Sequence, residues 1–168
     1  MANTYTLIQS VTVGSGGSSS IVFSTLPNTY TDLVLKISAR TNRSNVTDAI
    51  SLKLNNVTTN QSSLYMESTG GVSNSGTLST IRGQTCGNDS TSGTFGNCEF
   101  YIPNYAGSLS KSTPSLGVAE NRGANAYMWL VSNLWNSTAA ITDIEIINVN
   151  SASFLQHSTA SLYGITKS

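Results

Sequence analysis

The chain has 168 residues, the usual length of one domain, and a chain of this size can bury roughly 70% of the surface its unfolded form exposes. Eight basic and eight acidic residues cancel, and charged residues make up only 10% of the whole against about 25% in ordinary soluble proteins. With no run of either sign, long-range attraction to nucleic acid or to an anionic membrane is excluded as a working principle.

Ser, Thr, Asn and Gly stand where charge is missing, and they favour turns and strands over helix interiors. No window approaches the about 18 apolar residues of a membrane span. The opening MANTYTLIQSVTV carries neither a basic leader nor a long apolar run, so the expectation is a chain made and folded in a cytoplasm.

Tyr5 to Val13 alternates as a first strand, with Tyr5, Leu7, Val11 and Val13 expected inward. Gly14 to Ser20 is a flexible loop; its glycines are no phosphate cradle, because neither a helix nor a Lys-Ser/Thr pair follows. Ile21 to Ser24 is a short strand that leads into Pro27-Asn28, a turn.

The most informative strand follows. Leu33, Leu35, Ile37 and Ala39 fall on one side; Asp32, Lys36, Ser38 and Arg40 fall on the other, with Val34 the one apolar exception. One dry face and one wet face belong to an antiparallel sheet whose single face meets a core. Ala49 to Asn55 repeats the pattern, with Ile50, Leu52 and Leu54 inward and Ser51 and Lys53 outward, before the Asn55-Asn56 turn.

Leu64 to Ser68 and Thr77 to Arg82 read as weaker strands around a loop at Gly70 to Gly76. Gly96 to Ile102 is a clear strand with Cys98, Phe100 and Ile102 on one face, closed by Pro103-Asn104. Ser115 to Glu120 is a short strand. Tyr127 to Trp135 is apolar on both faces and is expected to be buried on both, between sheet and loops or between subunits. Ile141 to Val149 changes apolar phase between Ile146 and Ile147, which predicts a bulge. Ser161 to Ile165 closes the chain. About ten short strands, turn residues between them and no amphipathic helix predict one all-β domain over residues 1–168, an antiparallel β-sandwich of jelly-roll type.

Chemistry is scarce. His157 is the only histidine, and no Gly-x-Ser-x-Gly elbow accompanies it for nucleophilic catalysis. Cys86 and Cys98 lack zinc-site spacing; they are either buried thiols or a disulfide between neighbouring strands. Asp143 and Glu145 share a strand face and are the best acid pair for glycoside hydrolysis, but solvated guards of an edge strand is the favoured reading. No Asp-rich calcium loop is present. Sequons at Asn42, Asn45, Asn56, Asn60, Asn88 and Asn136 follow from composition. No catalytic residue, cofactor or metal is therefore expected. Tyr105, Tyr127, Trp129 and Trp135 are the candidate interface residues, as anchors against a protein or as a sugar-stacking platform, with core packing the competing role. Gly14–Ser20, Asn42–Thr47, Gly70–Gly76 and Cys86–Gly96 are the expected contact loops.

Four phrases in order, FSTLPNTYTDLVLKISAR from Phe23, FYIPNY from Phe100, LWNSTAAIT from Leu134 and LYGI from Leu162, resemble small virion proteins of tailed bacteriophages. The resemblance spans nearly the whole chain and its motifs are structural. It implies a jelly-roll sandwich, commonly a homotrimer, serving as a capsid cement or decoration protein on the head or as a domain at a fibre end. The expected partner is the major capsid protein, with no nucleic acid and no membrane. The short chain favours the cement role on the capsid surface; the alternative is a fibre tip that recognises host-surface glycans.

Overall fold

The computed structural model describes residues 5–119 and 126–166, and these form an all-β sandwich of two antiparallel sheets. Twelve strands occur among the described residues: β1 (Tyr5–Thr12), β2 (Ser20–Phe23), β3 (Asp32–Ala39), β4 (Thr47–Leu54), β5 (Gln61–Thr69), β6 (Val72–Leu78), β7 (Arg82–Cys86), β8 (Gly96–Ile102), β9 (Lys111–Ala119), β10 (Tyr127–Trp135), β11 (Ile144–Asn148) and β12 (Thr159–Ile165). The larger sheet has the order β1-β12-β3-β8-β9-β10-β5-β6 and the smaller β2-β11-β4-β7. The chain passes between the sheets after every one to three strands. Without the β1–β12 pair and the β9–β10 hairpin, the orders β2-β11-β4-β7 and β3-β8-β5-β6 remain, which is a jelly roll.

The core lies where the inward rows meet. Leu33, Leu35, Ile37 and Ala39 of β3 and Ile50, Leu52 and Leu54 of β4 are all buried, as their alternation predicts. Phe23, Phe100, Ile102, Ile144, Ile146, Phe154 and Leu162 complete the cluster. At Gly83 the two sheets come so close that a Cβ would stand 2.6 Å from both the Cys98 Sγ and the Phe100 ring.

Several sequence expectations need correction. Asp32 and Arg40, assigned to the wet side of β3, are buried because polar partners are built around them. Asp32 accepts hydrogen bonds from the Tyr101 hydroxyl (2.7 Å) and the Asn104 amide (2.8 Å). The Arg40 guanidinium donates to four carbonyls, those of Asn88, Ser90, Thr91 and Thr94, at 2.8–3.1 Å. Ser51 is also buried, although expected outward. In β1, a register shift between Leu7 and Gln9 turns the strand over: Tyr5 and Leu7 are exposed, while Ile8 and Val11 pack on the core.

Gly70 to Gly76 is not a loop. Gly70 and Gly71, both at positive φ, make a tight turn, and β6 pairs with β5 from Val72 onward. The expected strand Thr77 to Arg82 splits between β6 and β7, and β7 itself, RGQTC, has no alternation to announce it. β11 pairs in unbroken register with β2 and β4, so the bulge at Ile146–Ile147 is absent. β9 begins at Lys111, and the expected end of its strand at Glu120 lies outside the described residues.

Leu35→Ala should lower the unfolding free energy by about 2–5 kcal/mol, because the void at a fully enclosed site cannot collapse. Urea unfolding of the purified chain measures it.

Candidate interface

The outward side of the β9–β10–β5 strip is the feature that sets this sandwich apart. The pairing registers place side chains in four rows across it: Val118–Met128–Ser68, then Leu116–Leu130–Met66, then Pro114–Ser132–Leu64, and last Ser112–Leu134–Ser62. Met66 is 65% exposed, Leu64 57%, Met128 55% and Leu130 54%. Leu116, Val118 and Leu134 are exposed as well. None of the twelve positions carries a charge. Burial of β10 is therefore one-sided, and the expectation of cover on both sides is corrected: within this chain nothing among the described residues covers Met128, Leu130 and Leu134.

The inward side of the same strip mixes buried polar groups with the apolar Trp129, Val131 and Trp135. Thr113, Ser115, Asn133, Ser63 and Lys111 are all buried there. The Asn133 side chain ties four groups together. Its oxygen accepts from the Ser63 hydroxyl (2.6 Å) and the Arg82 amide (2.8 Å), and its nitrogen donates to the Thr113 carbonyl (2.9 Å) and the Ser115 hydroxyl (3.2 Å). Lys111 has its ammonium 2.8 Å from the Gly107 carbonyl, donates also to Ala139, and sits 5.4 Å from the centre of the Trp135 ring. Desolvation holds this ammonium below its ordinary pKa. The Thr113 hydroxyl is buried without a partner, while Ser63, Ser115, Asn133 and Lys111 each have one, which makes their burial tolerable.

Beyond the strip, the face continues over β8, β3 and β12 to the exposed Tyr5 and the half-buried Tyr163, whose rings meet edge to face at 6.4 Å. Its solvent-facing charges are Lys36 and Glu99, directly opposite each other and 3.2 Å apart. A groove of about 350 Å³ runs beside them, with Asn97, Ser161 and Tyr163 in its walls.

None of the four residues singled out from the sequence is part of this surface. Tyr105 and Trp135 belong to the core, and Tyr105 donates its hydroxyl to the Pro27 carbonyl. Trp129 points inward, 9% exposed, with Tyr65 against its ring at 5.3 Å and its N–H bonded to Glu67. Tyr127 is half-buried on that same inward side. The exposed apolar residues lie on the strand named from the sequence, in the row opposite its aromatics. The missed signal was the polar residue in the aromatic row: Asn133 between Val131 and Trp135 marks a lined, hydrogen-bonded interior and leaves Met128, Leu130 and Leu134 outside.

The remaining chemical candidates are dispersed. His157 is exposed in the connection before β12 at φ 72°, and its amide donates to the Val13 carbonyl. Glu145 pairs with Lys53 at 3.0 Å, while Asp143 accepts from the Thr142 hydroxyl at 2.7 Å. β11 lies inside the smaller sheet, so these acids do not guard an edge strand. Among the described residues no group of three or more His, Cys, Asp or Glu stands close enough to hold a metal ion. Cys86 and Cys98 are both free and buried, which decides between the two cysteine readings.

No protein-family model and no curated protein matches this chain. Among solved structures it is similar in outline to a fructofuranosidase variant from Schwanniomyces occidentalis complexed with fructosylnystose, at 7% identity and a TM-score of 0.28, over 99% of this chain and 35% of that one. A score that low carries no argument about fold or activity.

Burial pushes the Cys98 thiol up to about 12 from an ordinary 9.0, assisted by the nearby Glu99 carboxylate and opposed by a backbone hydrogen bond at Gln84. The folded state therefore keeps the thiol neutral where the unfolded chain ionises, so this contribution is whole below about pH 9 and is lost as pH rises toward about 12. Chemical denaturation at stepped alkaline pH should show stability falling through that window, with a shallower fall in Cys98→Ala.

Proposed function

We propose that this chain is a structural protein of a phage virion, a cement or decoration protein that holds the head shell by non-covalent contacts and makes or breaks no bond. The observation that carries the reading is the outward face of β9, β10 and β5: a continuous apolar, uncharged surface on a rigid sheet, the mark of a subunit that works packed against neighbours in an assembly. Monomeric proteins rarely present apolar patches above roughly 300–600 Å², and larger ones mark interaction sites. The resemblance of the four sequence phrases to virion proteins of tailed phages supplies the setting, the major capsid protein as partner and the homotrimer as the assembly.

The physics fits that role. A protein that binds the assembled shell and not its loose subunits stabilises the shell by mass action. Where several copies act together, weak contacts add through avidity instead of through one strong site. Apolar contacts suit a shell that meets changing salt, since exposed charge pairs are screened within about 10 Å at 0.1 M.

The fibre-tip alternative loses the residues on which it relied. Tyr105 and Trp129 present no open ring face on which a sugar could stack. Cryo-electron microscopy of particles carrying this chain is the test. Density for the twelve-stranded sandwich on the head shell is the expected result; density confined to the tail would sink the proposal.

A further inference from the structure

We infer that the outward face of β9, β10 and β5 is covered by a second copy of this chain. The inference rests on reading the protein as an assembly component and names the neighbour that takes this face.

The first argument is polarity. A solvated sheet face places hydroxyls and charges outward and apolar groups inward. Here the outer side of the strip breaks that rule, with Leu116, Leu130 and Met66 in water while Asn133, Ser115 and Thr113 are enclosed beside Val131 and Trp135. The second is size. At their exposures, the seven apolar side chains of the strip present roughly 700 Å², near the about 800 Å² that each partner gives to a standard interface.

The third argument is the match of the surface with itself. An apolar centre around Leu130 is bounded by Ser62, Ser68 and Ser112 at the ends of the rows, the dry core and polar rim of a protein interface. No unpaired charge on the strip demands an opposite one from the partner. The adjacent Lys36–Glu99 pair is neutral as a unit and offers both signs to a copy of itself. The chain has formal net charge zero, so two copies meet without repulsion. Strands β9, β10 and β5 are paired on both sides within the sheet, which leaves side-chain packing as the mode of contact. Face-to-face stacking at about 10 Å, as between the sheets of any sandwich, fits it.

The test uses the full chain and light scattering at about 100 μM, a concentration at which even modest affinities are populated. The wild type should have a mass that is a multiple of 17.7 kDa, and Leu130→Glu should fall to 17.7 kDa with unchanged far-ultraviolet circular dichroism. Val22→Glu, on the exposed side of the other sheet, should keep the wild-type mass. A second readout needs no charge substitution. Met66 and Met128 should oxidise about tenfold more slowly under peroxide in the wild type at high concentration than on dilution. A wild type of single-subunit mass, a Leu130→Glu chain of wild-type mass, or methionines oxidised at one rate at both concentrations overturns the inference. A chain that is single in solution yet present on the head shell ends this inference alone and leaves the cement role standing. A self-associated chain found only on the tail does the reverse.

Discussion

The buried cluster that Leu33, Leu35 and Ile37 of β3 share with Ile50, Leu52 and Leu54 of β4 is the feature on which the rest of the molecule depends. These strands are consecutive in the chain and belong to opposite sheets, so their inward rows set the spacing between the layers. Every later crossing, from β4 to β5, β6 to β7, β7 to β8, β10 to β11 and β11 to β12, must close over that same seam. Where the seam is narrowest, Gly83 gives up its side chain so that Phe100 and Cys98 can reach across. Hydrophobic area drives the closure, and the absence of competing charge keeps the desolvation cost low.

Two kinds of strand share the larger sheet. β3 and β8 are dry within and polar without, as a solvated sheet should be. β9 and β10 are hydrogen-bonded within and greasy without. This second arrangement has an energetic logic only when another surface is waiting. The Asn133 network fixes the strip to β7 and β5 by specific bonds, which frees the apolar residues to serve outside. The same strands would make an ordinary core if their register slipped by one residue, since a slip exchanges the faces. The polar anchors prevent that slip: each places its partner at one position only.

The sequence announced the parts of the fold whose residues obey one period. β3, β4 and β8 alternate cleanly over seven or eight residues, and their inward rows are as expected. β7 was illegible because its burial comes from strands far away in sequence, with Gly83, Gln84 and Thr85 all enclosed. β1 misled because one bulged residue exchanges its faces halfway along. The buried Asp32 and Arg40 were missed for a related reason: composition cannot reveal that a loop will fold its carbonyls around a cation. At the interface the strip's location was readable from the apolar density of YMWLVSNLW, but its direction was not. Large aromatics draw attention, yet Trp135 and Tyr105 fill volume inside, and the plain Leu and Met residues meet the outside.

Arg40 deserves a last consequence. Its guanidinium gathers the backbone between Asn88 and Thr94 with peptide oxygens and the Thr94 hydroxyl, whereas Arg43 and Asp48 rely on a carboxylate at 3.3 Å. Peptide oxygens take up no proton at mild acidity, so the clasp does not loosen where carboxylate pairs let go. The segment it shapes should thus keep one form over a range of acidity and salt.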